Sequence, residues 1–119
     1  MSTLSVIVVW AAIVADGFSG VAALVHFKPI LPGMAAAGVP ESWLTFPIGT
    51  LKTLGAIGLL VGMLAVPPVA VAAAAGLIVF FVCAMYTHVL AHDLSAQFGL
   101  ATALLLLNAA ALWATLTWL

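Results

Sequence analysis

Four long apolar runs, each stopped by proline or by a short polar break, constrain this chain more than any other feature of it. They cover residues 3–26, 48–66, 68–88 and 95–119. A transmembrane helix needs about 20 mostly apolar residues, and each run is close to that length. Pro29 and Pro32 stop the first run, Pro47 precedes the second and Pro67 ends it. Pro68 opens the third at a first-turn position, where the missing N–H has no helical partner to lose. The runs are apolar on both alternating faces, rich in Ala and Leu, and too long for membrane strands. Helices satisfy every backbone polar group inside lipid. The expected fold is therefore all-α, an integral-membrane four-helix transmembrane bundle forming one domain over residues 1–119.

Charge supports this class and removes the others. The chain carries five charged residues, Asp16, Lys28, Glu41, Lys52 and Asp93, or 4% of its length. An ordinary soluble domain has about 25%. With 67% hydrophobic residues, a soluble chain of 119 residues would expose large apolar patches and aggregate. A nucleic-acid partner would need a basic patch, whereas the net charge is -1. The expected partners are the lipid bilayer and a lipophilic small molecule, and the expected place is the cell membrane, crossed several times. A single cysteine, Cys83, excludes a disulfide within the chain and dithiol chemistry by this chain alone. No Lys or Arg precedes the first run, so it reads as mature structure and not as a signal peptide.

The connections are unequal. Pro67-Pro68 leaves almost no loop, whereas Phe27 to Pro47 is long. Within it, Leu31 to Gly38 is expected to form a short interfacial helix, opened by Pro32 and closed by Gly38. Four spans put both termini on one side. Trp10, Trp113 and Trp118 then fall toward the terminal side, with Trp43 and Tyr86 toward the loop side. Lys28 is the sole basic loop residue, and orientation stays open. His26, Lys28, Glu41, Lys52, His88, His92 and Asp93 all gather at the loop side, which suggests a site that opens toward one membrane face.

Asp16 is the most informative residue, because a carboxylate in mid-span must find a partner, face the interior or stay protonated. Asp16, Ser19, Gly20, Ala23 and His26 share one helical stripe. It reads as a proton-relay or substrate-binding stripe, or as a packing seam of small residues. Lys52 is the second anomaly. It could pair with Asp16 in a loop-side cavity, or extend its stem to the interface. Gly58 and Gly62 form a small-xxx-small motif that serves either the monomer core or a homo-oligomer. His88 and His92 share a helical face, and with His26 they could ligate a metal or haem. No third ligand stands at a characteristic spacing, so no metal site is expected. Asn108, mid-span in the fourth helix, reads first as a hydrogen-bonding link to a neighbouring helix. The candidate catalytic residues are Asp16, Lys52 and His88. The candidate substrate-binding residues are Ser19, Asn108 and Asp93.

Several of these features occur together in order. Phe27-Lys28-Pro29 ends the first helix, and Met34-Ala35-Ala36-Ala37-Gly38-Val39-Pro40 lies in the linker. Ile48 to Leu59, with Lys52-Thr53-Leu54-Gly55-Ala56-Ile57-Gly58-Leu59 at its centre, opens the second helix. An Ala-rich third helix ends in Thr87-His88 with Asp93 shortly after. In these features the chain resembles the DoxX-like membrane proteins, small four-helix bundles. The resemblance implies a membrane partner of redox or stress-response enzymes, the family being named for a subunit of a thiosulfate:quinone oxidoreductase. Family members often carry glutamate where this chain has Lys52, which puts the chain in a different branch, and no catalytic residue is carried over.

The leading expectation is a small membrane component that binds or transforms a lipophilic molecule in a bundle cavity. Its chemistry would be quinone-linked redox or cofactor-free acid/base catalysis such as isomerisation. The chain has no flavin, haem or iron–sulfur motif, so redox work would need a partner subunit that carries the cofactor. The alternative is a non-enzymatic scaffold or accessory subunit in which Asp16 and Lys52 fix helix register.

Overall fold

The computed structural model describes residues 1–94 and 96–119. The chain folds into helices α1 (Thr3–Leu24), α2 (Leu31–Ala36), α3 (Thr50–Leu64), α4 (Pro67–Leu90) and α5 (Ala96–Leu116), with no strand among the described residues. Four helical segments are long and apolar enough to cross a membrane. Their outer faces carry exposed Val14, Phe18, Leu64 and Leu106, which suits lipid as the surrounding solvent.

Local chemistry sets the helix ends. Ser2 caps α1 by accepting the Ser5 N–H on its hydroxyl at 3.1 Å. At the other end α1 stops at Leu24, two residues short of the expected His26. There His26 turns into the left-handed region with φ +52, and its N–H and that of Phe27 close back on the carbonyls of Ala23 and Ala22. This Schellman closure satisfies the last helical carbonyls. His92, φ +54, ends α4 in the same way, with Asp93 N–H on the His88 carbonyl. Gly38, φ +72, ends α2 with the same bonding, at no steric cost because it lacks Cβ.

The second span departs from the expected start at Ile48. A 3-10 turn over Glu41–Leu44 and a widely wound stretch over Thr45–Gly49 precede regular helix, which begins at Thr50. Phe46 is extended there (φ -143, ψ 132), because a residue before proline is driven out of the helical region. Pro67 and Pro68 both lie in the first turn of α4, and that helix runs to Leu90, beyond the expected His88. The fourth span ends at Leu116, short of the expected residue 119, and its expected first residue, Ser95, lies outside the described residues.

Helix α1 packs on α3 and α5, and α4 packs on the same two, so the bundle runs α1–α3–α4–α5 around its axis. Val9, Leu59, Leu77, Phe81 and Leu104 are among the side chains that fill the centre. The Gly58–Gly62 motif is used inside the monomer. A Cβ on Gly58 would stand 2.9 Å from Ala73 Cβ, and one on Gly62 would strike the Ala70 backbone. The α3–α4 hairpin therefore closes through small residues. Trp118 Nε1 donates to Ser5 Oγ at 3.0 Å, which ties the two ends of the chain together on one side of the bundle.

Candidate functional site: a lysine-floored cavity

A cavity of about 400 Å³ opens between α3, α4 and α5, with α2 and Trp43 over it. Its wall is mostly apolar, contributed by Leu51, Val79, Phe80, Phe81, Ala84 and Leu104 among others. Lys52 is the one wall residue among those described that carries a formal charge. His88, Thr87 and Cys83 supply further polar groups.

Two close contacts place Lys52. Its ammonium donates to Ser19 Oγ on α1 at 2.7 Å. It also sits 5.5 Å from the Phe81 ring centre and 5.6 Å from that of Phe80, within cation–π range. Gly20 makes the first contact geometrically available. A Cβ there would stand 2.5 Å from Thr53 Oγ1 and 3.0 Å from Lys52 Cβ, so only glycine lets α3 approach α1 this closely.

Asp16 lies elsewhere. It is fully buried, and its Oδ1 accepts from Asn108 Nδ2 on α5 at 3.1 Å. The same amide also donates to the Leu104 carbonyl at 2.9 Å. The other oxygens of this contact, Asp16 Oδ2 and Asn108 Oδ1, have no hydrogen-bond partner among the described residues, and neither has the buried Thr53 Oγ1. A direct Asp16–Lys52 ion pair, one of the two readings that the sequence left open for Lys52, is not among the described ion pairs. The described ion pairs within 4.0 Å are His26–Glu41 and His88–Asp93, and Lys52 reaches Asp16 only through longer-range Coulomb attraction. The reason is local: each charge has a nearer neutral partner on a facing helix.

His88 is held at the cavity end of α4. Its Nδ1 lies 2.9 Å from Asp93 Oδ2, and its ring meets Phe98 edge-on at 6.2 Å between centroids. The Asp93 carboxylate thus fixes the orientation of the His88 ring. His26 belongs to a different cluster. Its Nδ1 is 3.3 Å from Glu41 Oε1 and its Nε2 is 2.9 Å from Thr45 Oγ1, a link between the end of α1 and the lead-in to α3.

The six residues singled out by sequence thus resolve into three couples: Asp16 with Asn108, Lys52 with Ser19, and His88 with Asp93. Lys52 and His88 line the cavity, and the other four are not among its lining residues. Sequence reasoning missed Phe80, Phe81, Trp43 and Met34 as wall residues. The adjacent Phe80-Phe81 pair was visible, but an aromatic pair in an apolar helix does not differ in pattern from a packed core.

No curated protein and no solved structure matches the chain. The sequence profile of the DoxX-like family matches residues 5–114, which takes in all four membrane-length helices apart from their outermost residues. With nearly the whole bundle matched, the chain belongs to the DoxX-like family.

Proposed function

We propose that the protein is a membrane component that binds, and in an active complex transforms, a lipophilic small molecule in the cavity between α3, α4 and α5. The observation that carries this reading is a cavity of about 400 Å³, apolar on its wall but floored by Lys52 and reached by His88. Ligand sites are commonly concavities of about 300–1,000 Å³ with apolar walls and a few placed polar groups. Lys52 supplies N–H donors to an acceptor atom of the ligand. His88, oriented by Asp93, supplies an imidazole that can take or give a proton. A quinone fits this description as one lipophile with acceptor oxygens, and electrons for it would come from a partner subunit. Cofactor-free acid/base chemistry asks for Lys52 and His88 alone.

Asp16 has a different role in this reading. It is absent from the cavity wall and bonded to Asn108 across α1 and α5, so it fixes the register of two helices. That same contact favours the second reading, a scaffold or accessory subunit in the cell membrane, because it needs no ligand.

Cys83 offers a built-in reporter, since it is an exposed cavity-wall thiol and the chain's sole cysteine. Delipidated protein should react with N-ethylmaleimide faster than protein to which an apolar extract of its native membrane has been returned. Equal labelling rates would favour the scaffold.

A further inference from the structure

The ammonium of Lys52 has no carboxylate within 4.0 Å among the described residues, and its hydrogen-bond acceptor is a neutral hydroxyl, Ser19 Oγ. An ammonium has three N–H donors. Ser19 takes one, and the rings of Phe80 and Phe81 attract the charge without accepting a full hydrogen bond. The remaining donors belong to a cation inside an apolar span, where a charge without a close counter-ion is costly. Asp16, the other charge within a span, already takes the Asn108 amide and does not reach the cavity wall. The cavity is also long. Its wall follows α4 from Gly76 to His88, about 18 Å at 1.5 Å per residue.

Resting on the lipophile-binding reading above, we infer that the natural occupant is a single-chain amphiphile with an anionic oxygen head group. The head sits on the Lys52 ammonium, and the chain lies against Leu51, Val79 and Ala84. A carboxylate offers two oxygens to the free N–H donors and supplies the missing counter-charge. A phosphate monoester head shares that chemistry. A neutral lipophile fills the same volume but leaves the cation as unpaired as before.

The test is equilibrium binding to the delipidated full-length chain in a non-ionic detergent, at about pH 8, where a carboxylic acid is ionised. Radiolabelled oleate is compared with radiolabelled oleyl alcohol, its neutral counterpart. Wild-type protein should bind oleate at least about tenfold more tightly than the alcohol. In Lys52→Gln and Lys52→Met the preference for oleate over the alcohol should vanish. Oleoyl lysophosphatidate in place of oleate separates the two sources of the head: the tighter of the two anions identifies it, and either one preferred over the alcohol supports the proposal. Equal wild-type affinity for oleate and alcohol, with both slowing Cys83 labelling, overturns the anionic head but leaves the lipophile site standing. Failure of all three probes to bind or to protect Cys83 overturns both. The wild-type comparison decides even where a Lys52 variant fails to fold.

Discussion

Lys52 on α3 gives a hydrogen bond to Ser19 on α1, Nζ to Oγ at 2.7 Å, while Asp16, three residues before Ser19 on the same helix, turns to Asn108 instead. The two opposite charges within the spans are thus served by separate neutral partners. This division leaves Lys52 free to face the cavity and makes Asp16 a structural anchor.

The division is measurable in double-mutant cycles. Ser19→Ala combined with Lys52→Met should be non-additive by about 0.5 kcal/mol or more, because the two residues are in contact. Asp16→Asn combined with Lys52→Met should show a smaller coupling. Thermal unfolding in detergent reads both cycles, and a larger Asp16–Lys52 coupling would restore the direct pair.

Asn108→Ala removes the donor that reaches Asp16 from α5. Interhelical hydrogen bonds in membranes contribute about 0.6–2 kcal/mol, so the variant should unfold earlier by that amount. Asp16→Asn keeps a polar group that can bond Asn108 and should cost less than Asp16→Leu. The ranking of the two melting temperatures checks the anchor role.

Gly62 faces the Ala70 backbone without room for a side chain. Gly62→Val should open the α3–α4 hairpin and cost about 1–3 kcal/mol as overpacking. Because the motif acts within the chain, any folded variant should keep the wild-type oligomeric state on size exclusion. A change of oligomer without loss of stability would move the motif to a subunit interface.

His92 holds a left-handed backbone conformation, φ +54, at the end of α4. Left-handed geometry costs an L-residue about 1–2 kcal/mol, and glycine avoids it. After glycine's larger unfolded-state entropy is subtracted, His92→Gly should raise stability by about 0.5–1 kcal/mol. Calorimetry of the two proteins in one detergent provides the check.

Much of this architecture was legible in sequence because one physical demand dominated it. Backbone in lipid must be helical, and prolines mark where each helix can begin or end, so the four spans followed from Pro29, Pro47, Pro67 and Pro68. The ends were less legible. His26 and His92 close their helices in a conformation that glycine usually supplies, so nothing at those positions announced a stop. The site was half legible. Asp16, Lys52 and Asn108 stood out because polar groups in spans are rare, yet their partners depend on how far each helix is rotated and how closely it packs. The closeness of α1 and α3 at Gly20 decided that Lys52 meets Ser19 and not Asp16. A bundle cavity was expected, but its place between α3, α4 and α5 and its wall residues were not legible, since an apolar wall has the composition of a core.

The central claim is that the Lys52 cavity holds a lipophile, and native mass spectrometry of the full chain released from a mild detergent tests it most directly. Wild-type protein should carry one lipophilic adduct. Ala84→Trp, which fills the cavity wall, should abolish the adduct, and Lys52→Met should reduce its occupancy. A bare wild-type protein, or an adduct of equal occupancy on all three proteins, would contradict the account.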